Sequence, residues 1–130
     1  MIDAGTCITY EFISAKGEYF GGGISPGIRL RLQALNNYTK FLPLIEPEKI
    51  DFIVGSSTKD SILSGVMNGV RLEAEGIIAE YEKQFGGIRV LLTGGDAAFF
   101  ETVLKSKIFA TPHLVLIGLN KILQHNAPPR

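Results

Sequence analysis

Apolar positions change their spacing several times along the chain, and each change marks a different element. Residues 6–14 and 18–25 are rich in β-branched and aromatic side chains, among them Ile8, Tyr10, Phe12, Tyr19 and Phe20. They predict two strands joined through Ala15-Lys16-Gly17 as a hairpin. Gly21-Gly22-Gly23 ends the second strand, either as a bulge or as a loop that another group approaches closely. Ser25 then suits an N-cap, with Pro26 at the first position of a helix that keeps Ile28, Leu32 and Leu35 on one face. Pro43 and Pro47 make residues 41–49 a loop. The apolar run Phe52–Val54 allows one more short strand.

Ser57 and Asp60 have capping-box spacing and open a long helix. Its stripe is Ile62, Val66, Val70, Ile77, Tyr81 and Phe85, and Gly86-Gly87 closes it. Gly65 and Gly69 lie within it, each costing roughly 1 kcal/mol relative to alanine, which predicts a close approach by another element there. Ile88–Thr93 reads as a buried strand and Gly94-Gly95-Asp96 as the turn into a helix over 97–104. A short strand, Ile108–Ala110, and a last helix, Leu114–Gln124, precede Pro128-Pro129. A hairpin feeding alternating helices and parallel strands predicts a single α/β domain with a mixed sheet.

Composition narrows the function classes. The chain has 130 residues, 45% hydrophobic and 20% charged, which suits one domain with a packed core. Thirteen basic and thirteen acidic residues cancel without forming a block, so charge supports neither a nucleic-acid nor a membrane partner. Cys7 is the only cysteine. It fits a reducing cytoplasm and reads as a buried structural thiol. His113 and His125 lack neighbours at zinc-ligand spacing.

Glycine-bearing turns hold the remaining chemistry. Asp3-Ala4-Gly5-Thr6 can present backbone N–H groups and the Thr6 hydroxyl to a phosphate, with Asp3 as a carboxylate for a charge-balancing cation. Its plain alternative is a strand-to-strand turn with an Asx-type bond. In Thr93-Gly94-Gly95-Asp96, the glycines let a flat ligand lie against the backbone, or simply supply φ > 0 between strand and helix. Thr58 can donate to a ligand carboxylate or hydroxyl, or serve only the helix cap. Arg29 and Arg31 can meet an anion, and solvated surface positions are their commoner role.

In order and spacing, "DAGTCITYEF", "GEYFGGGISPGIRLRLQAL", "TKFLPLIEPE", "VGSSTKDSILSGVMNGV", "LLTGGDAAFF" and "PHLVLIGLNKIL" resemble the second half of type III pantothenate kinases. That family lies within the actin/hexokinase/Hsp70-like superfamily and is also named after a Bvg accessory factor. The resemblance implies a ribonuclease-H-like, ATPase-type α/β domain with a mixed sheet and flanking helices, residues 1–130 forming a C-terminal domain. It implies ATP-dependent phosphorylation of pantothenate in coenzyme A synthesis, with Mg²⁺ assisting, in a cytoplasmic homodimer. Matched residue by residue, Asp3 corresponds to the ligand of a monovalent cation (K⁺ or NH₄⁺) and Thr6 to an ATP contact. Gly94 and Gly95 correspond to the adenosine-side glycines, and Thr58 to a pantothenate contact at a dimer boundary.

The family's first phosphate turn, Asp-x-Gly-Asn-Thr, and its Gly-Ala-Asp-Arg segment with the catalytic base do not occur in these residues. The expectation is therefore a half enzyme with no catalytic residue of its own, inactive alone. A regulatory homologue that has lost transfer, and a sugar or acyl kinase of the same superfamily, are the alternatives.

Overall fold

The structure, a computed structural model, describes residues 1–127; Pro128-Pro129 lies outside the described residues. Five strands form one mixed sheet: β1 (Ile2–Ala4), β2 (Cys7–Ile13), β3 (Tyr19–Pro26), β4 (Val90–Thr93) and β5 (Ile108–Ala110). Their order is β3-β2-β1-β4-β5. The first three pair antiparallel, and β1-β4-β5 pair parallel, as the α/β pattern predicts.

The central strand is only three residues long, and its lead-in is longer than the sequence pattern suggests. Asp3 and Ala4 belong to β1 itself, so the turn shrinks to Gly5-Thr6, where Gly5 N–H donates to Cys7 O at 2.9 Å. Period-two burial holds on both sides of it: Ile2 and Ala4 on β1 and Ile8 and Tyr10 on β2 are buried. Leu92 on β4 continues that layer.

Helices cover the sheet. After α1 (Ile28–Asn37) and a long irregular loop, α2 (Thr58–Leu63), a π-helical turn (Ser64–Asn68) and α3 (Gly69–Phe85) run on without a break. Leu63, Val66, Met67, Val70 and Ala74 from this unit meet Ile28 and Leu32 of α1 and the strands in the core. Ser57 caps α2 as predicted, its side chain accepting from Asp60 N–H. The π turn inserts where the Ser64 hydroxyl donates to Ile53 O at 2.5 Å and Asn68 donates to Phe52 O at 3.0 Å. These bonds hold the 52–54 run as a loop along the helix, not as a strand.

At the far end of α3, Tyr81 and Phe85 pack on the hairpin, with Phe85 stacked on Phe12 at 3.7 Å between centroids. Helix α4 (Ala97–Val103) buries Phe100, and α5 (Leu114–Asn126) buries none of its residues. Among the described residues, no helix is long and apolar enough to cross a membrane.

Three further expectations are corrected. Ser25 and Pro26 do not open α1; they continue β3, and Gly27 is the N-cap with no side-chain bond. A side chain at Gly65 or Gly69 would meet nothing within 4 Å, so nothing among the described residues packs closely on them. Cys7 is exposed, because it begins β2 at the sheet's rim and the burial alternation falls on Ile8.

Candidate functional site

Strands β1 and β4 run parallel, with Asp3 beside Thr93, so both end at the same edge of the sheet. In an open α/β sheet, the crevice beyond the carboxyl ends of the strands is where ligands bind. Here β1 delivers Asp3 and the Gly5-Thr6 turn, and β4 delivers Gly94-Gly95-Asp96.

Backbone contacts lock the two turns together. Asp96 N–H donates to Ala4 O at 2.9 Å across them, and Ala97 N–H to Gly94 O at 3.2 Å closes the turn after β4 on itself. Gly94 has φ +100°, and a Cβ there would lie 2.3 Å from Ala4 O and 2.5 Å from Asp3 Oδ1. Glycine is required at this position on both counts. Gly27 makes the third wall: its N–H donates to Thr6 O at 2.9 Å, and a Cβ would sit 2.0 Å from Gly5 O. Three chain segments thus meet with almost no side-chain bulk between them.

The polar groups at this junction are Asp3, Thr6, Thr93 and Asp96, with Arg29 in the first turn of α1. Thr6 is exposed and Thr93 buried. Asp3 takes part in none of the side-chain hydrogen bonds or ion pairs among the described residues, so its oxygens have coordination capacity. Partial burial pushes the Asp96 carboxyl above the usual carboxylate range, and the Arg29 guanidinium pulls it the other way. Arg29 itself pairs with Glu46 at 2.7 Å on the surface. Among the described residues, no three His, Cys, Asp or Glu side chains gather where they could hold a metal ion. A cation at Asp3 would need backbone or ligand oxygens to complete its shell.

The structure brings Asp3 and Gly94 together, with Thr6 exposed in the turn that follows β1. Gly95 is beside them, but its outer side is open, and a Cβ there would meet nothing within 4 Å. Thr58 is apart. It stands exposed at the first position of α2 and lines a shallow depression with Leu35, Leu42, Ser61, Ile62 and Gly65. Its hydroxyl is not part of the cap, which Ser57 provides alone.

Sequence reasoning missed two features. Asp96 reads as punctuation after the glycines, and only its burial beside Ala4 sets it apart. The other is a polar cluster behind the site. Glu73 of α3 accepts from the Tyr10 and Ser25 hydroxyls at 2.9 and 2.5 Å and pairs with Arg31 at 2.5 Å. Arg31 is therefore an internal partner and not a solvated arginine. No spacing rule links residues 10, 25, 31 and 73.

The model of the type III pantothenate kinase family matches residues 1–80. A type III pantothenate kinase of Cytophaga hutchinsonii is 49% identical over 124 residues, covering 95% of this chain and 53% of that protein. One of Phocaeicola vulgatus is 48% identical over 126 residues, covering 97% and 52%. The chain spans about half the length of these curated relatives. Among solved structures, one described as a conserved putative Baf family transcriptional activator from Campylobacter jejuni superposes with a TM-score of 0.65. It is 26% identical and is matched over 96% of this chain and 56% of its own.

Proposed function

The chain belongs to the type III pantothenate kinase family, and from that premise we propose that it forms the C-terminal, ATPase-type domain of an enzyme phosphorylating pantothenate with ATP. The observation that carries this reading is the convergence of Asp3, the Gly5-Thr6 turn and Gly94 at the carboxyl ends of two parallel strands. The antiparallel β3-β2-β1 meander extended by parallel β4 and β5 supports a ribonuclease-H-like classification.

In this reading the Thr6 hydroxyl and the amides of its turn orient ATP phosphate oxygens, and Gly94-Gly95 leave the adenosine side unobstructed. Asp3 holds a monovalent cation, K⁺ or NH₄⁺. A carboxylate facing phosphate without such a cation would repel it, by roughly 1 kcal/mol at 4 Å in water and more where water is excluded. Bound ATP with Mg²⁺ supplies the transferable phosphoryl group and part of its charge neutralisation. Thr58, facing outward from α2 across an open surface at Gly65, contacts pantothenate at the boundary of a homodimer. No residue of this chain is assigned as the base that takes the hydroxyl proton. The cytoplasm is the compartment that fits such an enzyme.

A test is steady-state kinetics of Thr58→Ala in the kinase at the length of its curated relatives. The apparent constant for pantothenate should rise about tenfold while that for ATP stays within twofold. Equal changes in both, or none, would remove Thr58 from the substrate site. The description of the Campylobacter jejuni neighbour favours one second reading, a regulatory homologue that keeps the fold without transfer. Pantothenate-dependent ADP release separates the two.

A further inference from the structure

The Glu73 cluster shares no residue with the Asp3, Thr6 and Gly94 site, yet its bonds reach the corner that holds Thr6 O. Its members come from four elements: Tyr10 from β2, Ser25 from β3, Arg31 from α1 and Glu73 from α3. Besides its pair with Glu73, Arg31 donates through Nε to Pro26 O at 2.7 Å and through NH2 to the Ser25 hydroxyl at 3.4 Å. Arg31 and Glu73 side chains are 22% and 27% exposed. Such shielded, multiply hydrogen-bonded pairs are stronger and more geometrically specific than surface pairs.

Most of these bonds converge on the corner Ser25-Pro26-Gly27. That corner turns β3 into α1 without a side-chain cap, so the cluster supplies its side-chain restraint, beside the β2–β3 ladder that runs through Pro26. Its last residue, Gly27, carries the N–H that holds Thr6 O and has no room to shift toward Gly5. The path from Glu73 to the turn is therefore short and made of stated contacts: carboxylate, guanidinium and hydroxyl, corner backbone, Thr6 carbonyl.

We infer that Glu73 is a positioning residue for the nucleotide end, holding the Thr6 turn in register through Arg31, Ser25 and the Gly27 backbone. This rests on the kinase reading for its kinetic arm and on geometry alone for its structural arm. Glu73→Gln keeps the size of the side chain, but turns an amide toward Arg31 in place of a carboxylate. The corner then loses its charged tie, Gly27 N–H opens more often, and Thr6 is presented in a spread of positions. Thr58 opens the helical run that carries Glu73 but takes part in none of the cluster's bonds, so its proposed pantothenate contact is unaffected.

The experiment uses the kinase at the length of its curated relatives, with Glu73→Gln and the milder Ser25→Ala, which removes a single hydroxyl donor. ATP and pantothenate are varied separately, and amide hydrogen exchange is followed at Gly27 and Leu92. The expected result for Glu73→Gln is a rise of about tenfold in the ATP constant, with that for pantothenate within twofold. Gly27 exchange should quicken at least tenfold while Leu92, in the core, stays protected. Ser25→Ala should shift the same two readouts in the same direction by less, and it decides the matter if Glu73→Gln does not fold. Unchanged Gly27 exchange in a folded variant overturns the inference, as does an equal rise in both constants. Absence of pantothenate phosphorylation by the wild type would overturn the functional reading alone, and Gly27 exchange would still decide the role of Glu73.

Discussion

In the proposed reading, Asp3 and its neighbours hold the chemistry at the scale of single residues. A carboxylate beside the proposed phosphate site repels phosphate unless a cation stands between the charges, so Asp3→Asn should abolish most of the activation by K⁺ or NH₄⁺. Initial rates titrated with each ion measure this, and wild-type dependence in the variant would refute it. Gly94→Ala places a Cβ 2.3 Å from Ala4 O at φ +100°. Strain of that kind costs about 1–3 kcal/mol or more, and urea unfolding should show a loss in that range. Asp96 runs the other way. Burial raises its carboxyl, against the pull of Arg29, so the folded chain binds that proton more readily than the unfolded chain does. Stability is therefore lost as pH climbs from the ordinary carboxylate value through the raised folded one. Asp96→Asn should raise the melting temperature at pH 7 and leave it unchanged near pH 3.

Elements show where the pattern of the sequence was sufficient and where it was not. Strands β2, β4 and β5 and helices α2 to α5 follow from local signals, because burial alternation, the Ser57 cap and the closing glycines each act within a few residues. Strand β1 escaped because three residues are too few for a period, and its place at the centre of the sheet comes from β2 and β4. Ser25-Pro26 carries a helix-start signal that tertiary contacts override: the β2–β3 ladder runs through Pro26, and the Ser25 hydroxyl is taken by Glu73. The π turn is invisible to periodicity, since Ile62, Val66 and Val70 keep helical spacing across it. Asp3, Thr6 and the turn glycines were legible as a candidate site because their chemistry is local, whereas Asp96 and Glu73 gain meaning only through residues distant in sequence. Glu73 also sets a pH response. Burial alone would raise its carboxyl, but the bonds from Arg31, Ser25 and Tyr10 outweigh burial and hold it below the usual range. Its contribution is complete above the unfolded carboxyl value, about 4.3, and is lost as pH falls through the depressed folded value. Thermal midpoints from pH 6 to 2 should drop more steeply for the wild type than for Glu73→Gln; parallel curves would show that the cluster contributes no such linkage.

For the whole molecule, the sheet brings the ends of β1 and β4 to one edge, and in the proposed reading the phosphate groups lie there with no base among the residues of this chain. Phosphoryl transfer depends on positioning and charge stabilisation around the moving group, and a positioned base alone is worth about 10² to 10⁴ in rate. The chain spans about half the length of these relatives, and in the proposed reading the remaining groups lie in the other half. The most direct measurement is pantothenate-dependent ADP release, with phosphopantothenate identified as product, under the same conditions for the 130-residue chain and for the kinase at the length of its relatives. The longer protein should turn over with K⁺ or NH₄⁺ present, and the 130-residue chain should be slower by at least about 10²-fold. Turnover by the chain within tenfold of the longer protein, or no transfer to pantothenate by the longer protein, would contradict the account.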